Sequence, residues 1–311
     1  MAEFRPGTPD QQAFLEQLLA AGLLIESGVP GVYGRGESFE RVRGAFDDRV
    51  TAAAAVDQPE RLAFPPVLPR RQIEEIGYLK SFPHLAGSIF AFDGDEDQAT
   101  EQEGRAERHE DWSEFQSQTD LCLTPAACYP VYPAIAARGK LPPGGVTIDA
   151  GGSYVFRHEP SGDPARLQMF HQREIVRLAE PDTVAEWREG WRDRSVELLR
   201  AVGLDARFDV ASDPFFGRSG RLLARSQRSQ ALKFEVLVPI AGPEPTAVDS
   251  FNYHQDHFSA TYGIEVDAAD PTAHTACLGF GLERIALALF RVHGVEIESW
   301  PAAVREELGL A

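Results

Sequence analysis

His274 to Phe290 reads HTACLGFGLERIALALF. The run Thr275 to Leu278 has β character, two glycines follow, and a helix then opens with Glu283 and Arg284. Strand alternation puts Cys277, Gly279 and Gly281 on one face, with Leu278 and Phe280 packing the other. Two glycines on a shared face leave a flat backbone surface that a ligand approaches closely. Arg284 stands at the helix start, where the dipole already favours anions, so a phosphate there meets a guanidinium and a helix end together. Leu282, Ile285, Leu289 and Val292 recur at helical spacing and are expected to bury the rest of the helix. Without a ligand, the same string reads as a buried helix with a capping arginine.

Working outward, 311 residues make one large domain or two modest ones with ample core. The net charge of −18 argues against a general nucleic-acid binder, because phosphate contacts need a basic footprint. One basic segment stands against that background. GRSGRLLARSQRSQALK carries Arg218, Arg221, Arg225, Arg228 and Lys233 and no acidic residue, and reads as a local docking patch or as a solvated basic helix face. The N-terminus shows no basic stretch followed by an apolar run, and no segment approaches 18 uninterrupted apolar residues; no membrane partner and a cytoplasmic location are expected. Three cysteines, Cys122, Cys128 and Cys277, cannot form a disulfide framework and are free thiols or metal ligands, with Cys122 read as core.

Helical patterns are expected over 12–25 and 37–56, with the turn-rich GVPGVYGRG between them as a loop. Residues 64–92 read as a proline-bounded extended piece, a helix over about 70–80 and then a strand. The acidic stretch 93–111 is expected as an exposed loop or frayed helix. A short helix follows at 132–138, then the link KLPPGG, then two strands, 153–160 and 168–178, around the turn PSGDPARL. Residues 184–202 form a helix, KFEVLVPI a strand, and FNYHQDHFSATYGI another strand. Helices, hairpin-linked strands and a final helix predict an α+β fold with an antiparallel sheet, divided into an N-terminal helical segment (1–60) and a catalytic domain (61–311).

The hairpin is the second anchor. Val155, Arg157 and Glu159 share one face of its first strand, and Phe170, Gln172 and Glu174 share one face of its second. If the faces coincide, Arg157 can clamp a phosphate, Phe170 can stack on a purine and Glu159 can accept from an exocyclic amine. Charged residues on a solvated sheet face are the simpler alternative.

FRHE…RLQMFHQRE together with CLGFGLER resembles motifs 2 and 3 of the class II aminoacyl-tRNA synthetases, particularly the seryl branch. The resemblance implies that Arg157 binds the α-phosphate of ATP, Phe170 stacks on adenine and Arg284 holds the γ-phosphate. The helix at 70–80 leading to FPHLAGSIF is the candidate for motif 1, the dimer-forming element. The segment LTPAACYPVYP occupies the region that binds the substrate amino group in seryl synthetases, with Cys128 where a glutamate would stand. Cys128, Glu174 and Cys277 are far apart in sequence, and buried thiols are usually small hydrophobes. The synthetase frame gathers them on one pocket floor, where three ligands with an open position suit a zinc ion that takes a free α-amino group. A rival set, His254, Asp256 and His257, would need two histidines that a strand points to opposite faces.

From about Phe64 onward the chain resembles the amino acid:[carrier protein] ligase family. That resemblance implies a homodimeric, zinc-bearing enzyme that activates glycine or alanine with ATP and passes it to the phosphopantetheine thiol of an acidic carrier protein. Docking of such a carrier needs a local basic surface, and the helix carrying Arg188, Arg192, Arg194 and Arg200 is favoured slightly over Arg218–Lys233. Only some 60 residues precede the motif 1 candidate and show no sustained heptads, where a seryl synthetase has a coiled coil that grips tRNA; tRNA is not an expected partner. The segment TAVDSFN departs from the seryl pattern: Asn252 keeps its place at the ATP, while Glu235 and Asp249 are the candidate Mg²⁺ ligands. A non-catalytic amino-acid sensor and a minimal tRNA synthetase are the alternative readings. Retention of Arg157, Arg284 and Phe170 speaks against the sensor.

Overall fold

The computed structural model describes residues 4–311, apart from the side chains of residues 218 and 219, so the Arg218 side chain lies outside the described residues. In chain order the elements are α1 (Pro9–Ala20), β1 (Leu24–Glu26), β2 (Tyr33–Arg35), α2 (Glu37–Ala54), β3 (Glu60–Arg61), β4 (Val67–Pro69), α3 (Arg70–Glu75), α4 (Tyr78–Ser81), β5 (Ser88–Phe92) and α5 (Glu96–Glu107). There follow β6 (Gln116–Leu123), α6 (Val131–Ala136), β7 (Val146–Phe156), β8 (Met169–Ala179), α7 (Pro181–Ala201), β9 (Arg207–Val210) and α8 (Gly217–Ser229). The last are β10 (Lys233–Val238), β11 (Thr246–Gln255), α9 (His257–Tyr262), β12 (His274–Gly281), α10 (Leu282–His293) and α11 (Ala302–Glu307).

A seven-stranded sheet in the order β3-β7-β8-β12-β11-β10-β9 organises the molecule, antiparallel except for the β3–β7 pair. One face packs on α2, α7 and α10, where alternation delivers Ile175, Leu278 and Phe280 into the larger core. The N-terminal helices belong to that core: Phe39, Val42, Phe46 and Val50 line one stripe of α2, and Phe14 and Leu18 line one of α1. Residues on both sides of position 60 therefore contribute to this larger core. Arg173, buried under this face, is bonded to Asp47 and Thr51 of α2 and to Asp149 of β7, so its charge is paired where water cannot reach it. The opposite face carries the second core, with Val176, Cys277, Tyr132, Phe258 and the small β4-β6-β5 sheet.

Where the structure departs from expectation, backbone punctuation is usually the reason. The helix expected over 12–25 stops at Ala20, because Gly22 at φ 67° turns the chain into the β1–β2 hairpin that replaces the expected loop. The helix expected over 70–80 is divided at Gly77, which takes φ 68°. Asp95 and Gln98 form a capping box that starts α5 inside the acidic stretch, so that stretch is an exposed helix. The strand expected over FNYHQDHFSATYGI ends at Gln255, at φ 53°, and the rest forms α9. The first hairpin strand begins at Val146, seven residues before the expected start at 153, and β6 and β9 lie where no strand is expected. Val292 is 49% exposed; Leu282, Ile285 and Leu289 bury α10 without it.

Candidate active site

Sheet register brings the chemistry together. One transverse row runs Lys233–Asn252–Cys277–Val176 across β10, β11, β12 and β8. The next runs Glu235–Ser250–Gly279–Glu174. Ser250 and Gly279 leave a low strip between Glu235 and Glu174, so the sheet face there is a trough. A Cβ at Gly279 would stand 3.1 Å from both Gln172 Nε2 and Glu174 Oε1, so a side chain there would press those two groups aside. Above this floor lies a cavity of about 930 Å³, large enough for a nucleotide and a small second substrate.

The β7–β8 hairpin supplies the nucleotide side. Val155 pairs with Phe170 and Ser153 with Gln172, so the two expected faces coincide. The Arg157 guanidinium lies 5.5 Å from the Phe170 ring centroid, and its Nε donates to the Pro125 carbonyl at 3.2 Å. Glu159 accepts from Arg166 at 3.2 Å. At the other end Arg284 donates from Nε to the Ala165 carbonyl at 2.8 Å and from Nη1 to the Ala247 carbonyl at 2.9 Å. Burial, with Arg166 and Arg157 close by, lowers the Arg284 guanidinium to about 10. It stays charged at neutral pH, with Glu159 and Glu235 offsetting part of the repulsion from Arg166 and Arg157. Glu283 does not face the cavity: it is almost wholly buried, accepts from the His171 backbone N–H at 2.8 Å and pairs with Arg35 at 3.2 Å.

At the floor, one ligand atom each from Cys128, Glu174 and Cys277 lies within 4.8 Å of the other two, and all three residues are buried. Sequence separations of 46 and 103 residues collapse here because β8 and β12 are neighbours and the segment before α6 folds over them. The Cys128 N–H donates to the Glu174 carboxylate, and the Cys277 thiol lies 3.5 Å from its other oxygen. Burial pushes the Cys128 thiol and the Glu174 carboxyl up. Among the described residues this is the one grouping of three metal-ligating side chains. The rival histidine set does not assemble: His257 is exposed at the start of α9, while His254 turns inward, its Nε2 3.6 Å from Cys277 Sγ.

The remaining candidates separate. Asn252 is in the trough, its Nδ2 3.7 Å from Cys277 Sγ and its Oδ1 buried without a partner. Glu235 faces the cavity, 3.0 Å from Lys233 Nζ. Asp249, the other candidate Mg²⁺ ligand, is among the residues around the cavity, but its side chain is buried. Its register partners are Val236 and Phe280, on the opposite face, and its carboxyl accepts from Ser195 of α7 inside the core. Alternation alone separates it from Ser250 and Asn252. Sequence reasoning missed Lys233 and Asp213 as cavity residues; they form a buried pair at 2.6 Å, and Gln227 of α8 clasps Asp213 with two hydrogen bonds. A lysine opening a strand after a basic helix carries no signal of its own until β10 and β11 are paired.

An antiparallel sheet with arginines at both ends of a nucleotide-sized trough defines a class II aminoacyl-tRNA synthetase-type catalytic core. The crystallised seryl-tRNA synthetase of Methanopyrus kandleri, in complex with a tRNASec, superposes with a TM-score of 0.79 at 20% identity, over 95% of this chain and 60% of that one. The sequence is 46% identical to amino acid--[acyl-carrier-protein] ligase 2 of Bradyrhizobium diazoefficiens, over 94% of this chain and 87% of the relative. It is 45% identical to ligase 1 of the same organism, over 98% of this chain and 93% of the relative. No protein-family model matches the sequence. The chain belongs to the amino acid:[carrier protein] ligase family, and it is a ligase. No helix among the described residues is long and apolar enough to cross a membrane.

Proposed function

We propose that the protein activates a small amino acid, glycine or alanine, with ATP and transfers it to the phosphopantetheine thiol of an acidic carrier protein. The observation that carries this reading is the convergence of Arg157, Phe170 and Arg284 on one cavity whose floor holds Cys128, Glu174 and Cys277. In the first step a carboxylate oxygen of the amino acid attacks the α-phosphorus and pyrophosphate departs. Arg157 and Arg284 meet charge that spreads over the phosphoryl oxygens, and the bound geometry supplies the rest, with no general base required. Phe170 offers its ring to adenine, and Glu159 offers an acceptor near it. In the second step the thiol attacks the acyl carbon and AMP departs.

Two thiols and a carboxylate within 4.8 Å fit zinc, whose bonds to sulfur and oxygen of roughly 2.0–2.3 Å require ligand atoms this close. When bound, zinc there supplies an open position that takes a free amine and favours its unprotonated form. Glu235 is the carboxylate on the cavity side that suits Mg²⁺ brought in by ATP. The working unit is proposed to be a homodimer.

The carrier must reach the cavity from its open side. The α7 helix, with Arg188, Arg192, Arg194 and Arg200, is the docking surface that the sequence slightly favours. It packs on the other face of the sheet, where Trp191 meets Phe280, and its arginines are engaged with Glu189, Asp193, Asp57 and the Ala206 carbonyl. The α8 helix instead leans over the mouth, where Leu223, Ser226 and Gln227 line the cavity and Arg221, Arg225 and Arg228 are exposed. This supports α8 as the docking surface for an acidic partner. The test of the activation step is amino-acid-dependent exchange of pyrophosphate into ATP by zinc-loaded protein. Exchange with glycine or alanine is expected; none with any amino acid would overturn the reading.

A further inference from the structure

The segment Pro125–Tyr129 holds both ends of the amino-acid site. At one end the Pro125 carbonyl accepts from Arg157 Nε at 3.2 Å, aiming the guanidinium that faces the carboxylate and α-phosphate. Three residues later Cys128 contributes a thiol to the trio that faces the amine. The segment is fastened to the floor between them: the Ala127 N–H donates to Gln172 Oε1 at 3.4 Å and the Cys128 N–H donates to Glu174. Gln172 and Glu174 are the same side chains that crowd the Gly279 position. Ala126 and the bare backbone of Gly279 both line the cavity that an amino acid stretched from the trio to Arg157 would occupy.

The far end is shut by rings. Tyr132 stacks on Phe258 at 3.9 Å and 7°, Phe258 meets Tyr129 at 6.0 Å, and Tyr129 meets Tyr78 at 5.9 Å. The floor is already glycine and cannot be lowered, and the ring wall is packed. Two alanines, Ala126 and Ala127, stand between the anchoring points, and of these Ala126 lines the cavity with its methyl group.

We propose that Ala126 is the specificity-determining residue of this site, and that its methyl group occupies the space a substrate side chain would need, making glycine the preferred amino acid. This rests on the activation reaction proposed above. One methyl group in a tight pocket discriminates by about 10- to 200-fold, the size of effect a single alanine can set. Exchange kinetics with glycine and with alanine, on unsubstituted protein, Ala126→Gly and Ala126→Val, test it, with zinc content measured on each. Calorimetric binding of each amino acid without ATP gives a second readout. The unsubstituted protein should favour glycine by about tenfold or more, Ala126→Gly should shrink that ratio about tenfold, and Ala126→Val should weaken glycine itself. A glycine-to-alanine ratio unmoved in zinc-replete Ala126→Gly overturns the assignment, as does an unsubstituted protein that prefers alanine. Should Ala126→Val not fold, Ala126→Gly decides alone. Exchange with neither amino acid in the unsubstituted protein would instead count against the activation reaction.

Discussion

Replacing Asp249 with Asn separates its structural position from the magnesium-binding role that its sequence context suggests. The carboxyl is 2% exposed, accepts from Ser195, and leaves Oδ1 buried without a partner. Burial pushes it up to about 8 from an ordinary 3.8. A carboxyl raised on folding contributes most below pH 3.8, and that contribution is lost as pH rises to about 8. At pH 7 the folded protein must hold a proton that the unfolded chain has released, which costs about 4 kcal/mol at 1.36 kcal/mol per unit. The amide that Asp249→Asn introduces needs no proton but brings an N–H with no partner, a pH-independent cost of about 1–3 kcal/mol. Asp249→Asn should therefore gain on the unsubstituted protein by roughly 4 kcal/mol between pH 5 and pH 8. Urea denaturation of both proteins across that range measures the gap, and the pH dependence of zinc binding is common to both. A gap flat to about 1 kcal/mol refutes the buried neutral acid. Loss of exchange activity in a folded Asp249→Asn protein refutes its placement away from the nucleotide.

Metal analysis should find about one zinc per chain, lost on replacing Cys128, Glu174 or Cys277 with Ala and kept on replacing Cys122; zinc surviving Cys277→Ala contradicts the three-ligand set. Arg157→Ala and Arg284→Ala should each slow exchange by roughly 10²–10³-fold, the cost of one preorganised electrostatic contact, and losses under about threefold count against both roles. Reversing Arg221 and Arg225 to Glu should slow transfer to the carrier while leaving exchange in place, and the deficit should shrink as salt rises. Reversing Arg192 and Arg194 should leave transfer unchanged; a selective loss there returns docking to α7.

How much of this is legible in the sequence follows from which signals are local. Period-two alternation puts Cys277, Gly279 and Gly281 on one face, and β12 keeps that arrangement against β8 and β11. The hairpin is legible only in part: alternation gives each strand its faces, but the twelve-residue connection from Arg157 to Gln168 leaves their register to the sheet. Positive-φ residues are not legible: Gly77 and Gln255 end elements in runs whose composition suits continuation. The direction of the Asp249 side chain is hidden for a related reason. Its neighbours read as a segment at the ATP, and only when β11 is seen as one strand from Thr246 does parity send its side chain inward. Lys233, Asp213 and His254 enter the site through register and loop closure, which no local pattern encodes. The trio of Cys128, Glu174 and Cys277 lies between these cases. Its residues are scattered along the chain, and the family resemblance, not spacing, brings them together before the sheet does.

The central claim is that an amino acid leaves this cavity on a carrier thiol. Zinc-loaded protein, ATP and radiolabelled glycine, incubated with an acidic carrier protein in its phosphopantetheine-bearing and bare forms, test it directly. Label should appear on the phosphopantetheine-bearing form alone, with one AMP released per acyl group, and hydroxylamine should remove it. Label on both forms, on neither, or on tRNA supplied in its place would contradict the account.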